Sequence, residues 1–365
     1  MTNSGSQRAL NALSRLCSSG LDSWALRTRA LQYVQTLVPF DCAWWATADP
    51  ATLLFTGGLS QDIPGDATPL FVDNELLEDD LNKFSELATQ ACPVGTLYAA
   101  TRGSPQRSSR YRKILHPFGM GDELRAALVE GGMCWGYICL HRAGTATPFT
   151  LEDMTQMQGV GPRLAAGMRN ALLLDLQRSR AGAEPPGVVT LSRDLSLVSV
   201  TPNAAAWLDE MADSPSGPAP AQAIAGVAAR LLAQERGESS VAAATPRVRV
   251  RTRAGRWLTL HALRLSDGAR SGEIAVVLEP ARPDEMAPLL LSAYGLTERE
   301  RTVAQCVLRG MSNKTIGRRL SISPLTVQQH LKGIFEKVGI HSRGELMARV
   351  LAEFRWDASH APRDA

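Results

Sequence analysis

The chain has 365 residues, 44% of them hydrophobic and 21% charged, which allows two or three domains with cores of their own and excludes a disordered or fibrous polypeptide. A formal net charge of +3 creates no global field for nucleic acid, so any basic surface must be local. The six cysteines (Cys17, Cys42, Cys92, Cys134, Cys139, Cys306) form no CxxC pair and no zinc-ligand spacing with histidine; together with a start that is no signal peptide and the lack of any run near the ~18 apolar residues of a membrane span, they point to reduced thiols in a cytoplasmic protein that does not enter a membrane.

Helical spacing opens the chain: Leu10, Leu13 and Leu16, then Leu26, Leu31, Val34 and Leu37. FDCAWWATADPATLLFTGG (40–58) reads as a hairpin turning at Asp49-Pro50. Trp44 and Trp45 are neighbours on its first strand and must point to opposite faces, so at most one lines any given pocket. Residues 75–91 read as helix. ELRAALVEGGMCWGYICLHR (123–142) is a second hairpin with Gly131-Gly132 at its tip. Cys134 and Cys139 should face opposite sides of it as buried, inert thiols. A long helical segment runs from Thr150 to about Arg180, where Gly159-Val160-Gly161-Pro162 should kink or break it. Helices flanking an antiparallel sheet make an α+β domain of residues 1–180.

AGAEPPG (181–187) reads as a linker. Residues 187–280 form a second strand-rich unit: GVVTLSR and LSLVSV around Asp194, a helix at PNAAAWLDEM, a break at SPSGPAP (214–220), a helix at AQAIAGVAARLLAQ, and strands in RVRVRTRAGRWLTLHALRL and GEIAVVLEP. Arg247, Arg249, Arg251 and Arg253 alternate with valine and threonine, the pattern of a strand with one solvated face. His116, His141 and His261 have no carboxylate or cysteine pattern beside them, so no metal site is expected. No nucleophile–base pairing or phosphate loop marks residues 1–280 as an enzyme. ARPDEMAP (281–288), with two prolines, reads as the next linker.

The rest is helical and dense with caps. Thr297-Glu298-Arg299-Glu300 is a capping box; Val303, Ala304, Val307 and Leu308 share the face of the helix it opens, and Gly310 ends it. Ser312 caps the next helix, which carries Ile316 and Leu320. After the short turn Ser321-Ile322-Ser323, Ser323 caps a third helix with Pro324 at its first position. Val327, Leu331, Ile334, Phe335 and Val338 make its buried stripe, and Gly339 stops it. Ser342-Arg343-Gly344-Glu345 opens a fourth helix with Leu346, Val350, Leu351 and Phe354 inward. Two short helices joined by a tight turn, the second opened by Ser-Pro, are the arrangement of a DNA-reading pair. Opposite the stripe of the third helix lie Leu325, Gln328, Gln329 and Lys332, with His330 at the border. Glutamine can make two hydrogen bonds to adenine, and lysine reaches guanine or phosphate. From Leu296 to Arg349, ten basic and four acidic residues leave +6, more than the whole chain carries; phosphate neutralisation needs such concentration.

The segment LTERERTVAQCVLRGMSNKTIGRRLSISPLTVQQHLKGIFEKVGIHSRGEL (296–346) resembles the LuxR-type helix-turn-helix family through LTERE, G-x-SNK-x-I, L-x-IS, TV-x-x-HL and S-R-x-EL. The resemblance implies a transcriptional regulator, not an enzyme, that needs no cofactor and binds double-stranded DNA as a homodimer, with pairing through the fourth helix, Arg343 to Phe354. It implies phosphate contacts from Ser312, Asn313, Lys314, Thr326 and His330, and base-facing positions at Gln328, Gln329 and Lys332. Many members carry lysine or arginine where this chain has Gln328. Residues 1–180 resemble GAF-type sensor domains and residues 187–280 a PAS-type fold, families that bind small ligands or mediate dimerisation. The expected architecture is multidomain α+β: a GAF-like and a PAS-like domain, each on an antiparallel sheet, then an all-α four-helix LuxR-type domain at 289–354. The partners implied are DNA, a second copy, a small-molecule ligand for the front region, and RNA polymerase.

Overall fold

The computed structural model describes residues 3–177, 185–211, 219–237, 246–265 and 272–352. Residues 181–184 of the 181–187 stretch, residues 214–218 of the 214–220 break, Phe354 and the side chain of Leu351 lie outside the described residues. The chain divides into two compact units: Met1–Ala171 with Pro185–Ala254 and Leu258–Glu279, and Leu172–Glu184 with Gly255–Trp257 and Pro280–Ala365.

The first unit opens with helices α1 (Asn3–Cys17) and α2 (Ser23–Leu37), the latter capped by Asp22, whose carboxylate accepts from Ala25 N–H at 2.8 Å. The hairpin β1 (Cys42–Ala48) and β2 (Phe55–Gln61) follows, then α3 (Ala67–Leu77), α4 (Phe84–Leu87), β3 (Val94–Thr96), α5 (Leu97–Ala100), the long hairpin β4 (Met120–Glu130) and β5 (Met133–Ala143), and α6 (Leu151–Gln177). These strands form one sheet in the order β2-β1-β5-β4-β3, with antiparallel neighbours. Its two faces differ. One carries Trp45, Ile138, Leu140 and Leu124, all buried, and packs on helices. Buried Arg27 of α2 donates to the Trp45 carbonyl there. Met168 of α6 closes on Gly136, where a Cβ would sit 2.5 Å from the Ala46 carbonyl. The other face carries Trp44, Tyr137, Cys139, Arg125 and His141.

The second sheet, also in this unit, is built from β6 (Gly187–Leu191), β7 (Leu197–Val200), α7 (Pro202–Met211), α8 (Ala219–Glu235), β8 (Arg247–Arg251), β9 (Trp257–Arg264) and β10 (Ile274–Pro280). Its strand order is β7-β6-β10-β9-β8. Trp207, Met211, Ile224, Val227 and Ala228 of its helices pack on Val189, Val248, Val250, Leu260 and Val276. Leu54, from the β1–β2 turn, inserts into the same core.

Several expectations are corrected here. Helix does not span 75–91: α3 starts earlier, at Ala67, and the chain leaves the helix after Leu77. The intervening polar side chains are spent on tertiary hydrogen bonds: Asp80 accepts from Arg110 N–H at 2.6 Å, and Asn82 donates to the Thr96 carbonyl at 3.1 Å. Helix α6 is unbroken across Pro162, because Met157 and Val160 before it and Leu164, Ala165 and Met168 after it are all buried, and packing outweighs the local penalty. Arg249 does not sit on a solvated face: it is buried and forks onto Asp49, Nε to Oδ2 at 2.8 Å and Nη2 to Oδ1 at 2.6 Å. A bulge in the β4–β5 ladder pairs Val129 with Cys134 directly after Leu128 with Gly136, so Cys134 joins Cys139 in one cluster instead of facing away. Both thiols are buried, and burial pushes Cys134 up to about 11 and Cys139 well above its ordinary value. His141 does have acidic and thiol neighbours, since register sets it opposite Glu123 and one pair from Cys139.

The second unit is helical. Residues 281–288 are not a linker: α9 (Pro283–Ala293) begins there, with Arg282 N–H donating to Glu285 at 3.1 Å and Pro283 in the first turn. Met286, Leu289 and Leu290 cluster with Leu176, Trp257 and Val350, which holds the segment helical. Next come α10 (Glu298–Leu308), α11 (Asn313–Leu320), α12 (Pro324–Val338) and α13 (Arg343–Ala352). Leu291, Val303, Val307, Ile316, Val327, Leu331, Ile334 and Leu346 form their common core.

Candidate nucleic-acid interface

Each helix of the second unit starts and stops where its side chains dictate. Thr297 Oγ1 accepts from Glu300 N–H at 3.3 Å while Glu300 Oε2 accepts from Thr297 N–H at 2.7 Å, a reciprocal box that opens α10. Ser312 accepts from Thr315 N–H at 3.2 Å and Ser323 from Thr326 N–H at 3.0 Å, capping α11 and α12. Ser342 does the same for Glu345 N–H at 3.1 Å, and Glu345 reaches back to His341 N–H at 2.8 Å.

The turn between α11 and α12 is held by a residue the sequence reading passed over. Ser321 is left-handed (φ 55°) and Ile322 N–H donates to the Gly317 carbonyl at 2.9 Å. A Cβ on Gly317 would lie 2.7 Å from the Ile322 carbonyl oxygen, so only glycine lets the two helices approach this closely. A glycine inside a short helical pattern was the available signal.

Helix α12 is two-sided as its spacing requires. Val327, Leu331, Ile334 and Val338 are buried, whereas Leu325 is 66% exposed and Gln328, Gln329 and Lys332 are exposed. Lys332 Nζ lies 4.0 Å from Glu336, with 81% of its side chain in solvent, a pairing that water and salt screen heavily. His330 is half-buried at the border. Thr326 shares its hydroxyl with Ser323 at 2.8 Å. On α11, Lys314 is exposed, Ser312 Oγ lies 2.9 Å from Thr315 Oγ1, and Asn313 is half-buried with Oδ1 accepting from Arg343 at 3.0 Å.

Not all the local positive charge is available to a polyanion. Arg299 donates to the Leu320 carbonyl at 2.8 Å, Arg301 to the Leu296 carbonyl at 2.9 Å, and Lys337 to Glu300 at 2.6 Å. Arg309, Lys314, Arg318, Arg319, Lys332 and Arg349 are exposed. Arg318 and Arg319, in the last turn of α11, add cationic surface that the sequence reading counted but did not single out.

Residues 295–350 match the family of bacterial regulatory proteins of the luxR type. An HTH-type transcriptional regulator of Mycobacterium tuberculosis is 48% identical over 52 residues, 14% of this chain and 6% of the relative. The monoamine regulon transcriptional regulator of Klebsiella aerogenes is 46% identical over 54 residues, 15% of this chain and 24% of that one. The transcriptional regulatory protein UhpA of Escherichia coli is 36% identical over 78 residues, 21% of this chain and 35% of that one. The chain thus spans from 6% to 35% of the length of these relatives. A solved structure, the Escherichia coli DhaR(N)–DhaL complex, overlaps 77% of this chain and 90% of its own at 13% identity and a TM-score of 0.25, too slight a likeness to carry an argument. The terminal helices of this chain are a LuxR-family helix-turn-helix domain behind two antiparallel-sheet regions.

Proposed function

From that domain as premise, we propose that the chain is a sequence-specific DNA-binding transcriptional regulator and not an enzyme. Three functional regions carry the work: a GAF-like region at 1–180, a PAS-like region at 187–280, and the DNA-binding domain at 289–354. The observation that supports this best is the outward face of α12, which offers Leu325, Gln328, Gln329 and Lys332 to solvent opposite a buried stripe. Two amides, an ammonium and an apolar group are the chemistry that reads adenine, guanine and the thymine methyl in a major groove. Ser312, Asn313, Lys314, Thr326 and His330 border that face and contact phosphates, which position the helix without specifying sequence.

The regulator acts as a homodimer on paired half-sites about one helical turn apart, with α13 as the pairing helix. It meets RNA polymerase at promoters, and works in the cytoplasm where the chromosome lies. No described helix is long and apolar enough to cross a membrane. The front regions take a signal and alter how the reading heads are presented.

Capture of genomic DNA fragments by the purified full chain tests the reading, with enrichment of one paired motif as the expected result. On the recovered operator, Lys332→Ala weakens binding by about 1–3 kcal/mol, and Arg318→Ala lowers affinity evenly across sequences and reduces the salt dependence. Absence of any shared motif, or equal operator affinity in Lys332→Ala, Gln328→Ala and Gln329→Ala, rejects the assigned reading face.

A further inference from the structure

The outward face of α12 holds one side chain that its polar chemistry does not explain. Leu325 is 66% exposed. It enters neither the core around Val327, Leu331 and Ile334 nor the partly buried fringe that includes Leu320, Ile322 and Phe335. Among the described residues of the helical unit, the other large apolar side chain left in solvent is Met347 of α13, at 38%.

The place of Leu325 is fixed by the cap. Ser323 is the N-cap and Pro324 the first helical residue, so Leu325 lies in the first turn of α12. Ser323 Oγ accepts from Thr326 N–H at 3.0 Å and holds that turn closed. Helical spacing aligns Leu325 with Gln328 and Gln329, one turn on, and with Lys332, two turns on. All four are exposed. This stripe covers about 10 Å of helix, the length of about three base-pair steps of a duplex.

A branched hydrocarbon can contact few groups of DNA with profit. It gives nothing to a phosphate oxygen and exchanges no hydrogen bond with a base edge. In the floor of the major groove, the apolar group is the 5-methyl of thymine. A recognition helix brings its N-terminal residues to the base edges, which sets this leucine and that methyl in one layer. Contact between them removes apolar surface from water on both sides. A leucine that is merely solvated, as isolated surface leucines commonly are, would leave the choice of DNA untouched.

We propose that Leu325 is a specificity-determining residue that reads the 5-methyl group of a thymine at one position of each half-site. The proposal rests on the DNA-reading role of α12 and adds a base and a place to it. The thymine lies at the end of the reading stripe away from Lys332, with the base pairs met by Gln328 and Gln329 between. What is read is a methyl group at C5 and not a hydrogen-bonding edge, so 5-methylcytosine at the same position presents the same contact.

The operator recovered by genomic capture is resynthesised with deoxyuridine in place of each half-site thymine in turn. Deoxyuridine keeps the pairing and the O4 acceptor and lacks only the methyl. The full chain should lose about fourfold in affinity for the methyl removed from one half-site and about tenfold or more for both. Leu325→Ala should bind the thymine operator with a comparable loss and be indifferent to deoxyuridine at that position. The full chain should prefer 5-methylcytosine to cytosine there, and Leu325→Ala should not. Thermal melting checks that the alanine variant is folded; Leu325→Gln, which keeps a side chain of similar length, repeats the comparison. An operator in which no thymine methyl matters overturns the proposal. So does an equal deoxyuridine penalty in the full chain and both variants, which would trace the effect to the shape of the DNA itself. Capture that yields no motif removes the DNA-reading role and this proposal with it. A motif whose binding needs Gln328, Gln329 and Lys332 but ignores the methyls leaves that role standing and removes Leu325 alone.

Discussion

Glu300 serves two helices at once. Its Oε2 accepts from Thr297 N–H at 2.7 Å, closing the α10 box, and from Lys337 of α12 at 2.6 Å. Burial opposes its charge, but the Lys337 and Thr297 hydrogen bonds outweigh it and hold the carboxyl below the ordinary range. A lowered folded value stabilises the fold above the unfolded value of about 4.3 and is lost as pH falls through the folded one. Glu300→Gln should therefore cost about 1–3 kcal/mol at pH 7 and flatten the decline in melting temperature between about pH 5 and pH 3. Gly317→Ala should cost about 1–3 kcal/mol, since its Cβ meets backbone and not a movable side chain, and DNA affinity should fall with it; an unchanged melting temperature would show that the turn yields. The thiols give a third test. Cys92 is exposed and the other five cysteines are buried, so a thiol reagent should label one site in the native chain and all six only after denaturation. Rapid native labelling of Cys134 or Cys139 would reopen thiol chemistry in the first sheet.

Among the elements, proline is the residue whose local rule most often yields to context. Pro324 and Pro283 open helices, where the missing N–H costs nothing. Pro162 sits inside α6 and forfeits one helical hydrogen bond. Pro162→Ala should accordingly raise stability by about 1–3 kcal/mol, read as a higher melting temperature; a loss would mean that the ring itself is packed. The reading of 281–288 as a linker went wrong for the same reason. Two prolines in eight residues look like punctuation, but Met286, Leu289 and Leu290 have a core to enter. On α12, by contrast, cap, stripe and outward face were all readable, because a 3.6-residue period fixes which residues share a side.

At the scale of the whole molecule, the β1–β2 turn is where one sheet region meets the other inside the first unit. Asp49 holds Arg249 of β8, and Leu54 lies in the second core. Arg249→Met leaves the buried Asp49 carboxylate with backbone donors but without its cation and should cost about 3–5 kcal/mol, and adding Asp49→Leu should recover much of it; strict additivity in this cycle would mean the pair does not couple. The charge alternation of RVRVR could not reveal this, since the partner lies two hundred residues away in sequence. By itself, the amino-acid order determined the helix-turn-helix, its caps, its outward residues and the two sheet-bearing regions, because capping and hydrophobic period act within a few residues. Only the tertiary structure decided which buried charges pair and that Cys134 crosses to the face of Cys139. Those outcomes depend on strand register and on the packing of distant segments, and a one-residue bulge is enough to turn a side chain from one face of a sheet to the other.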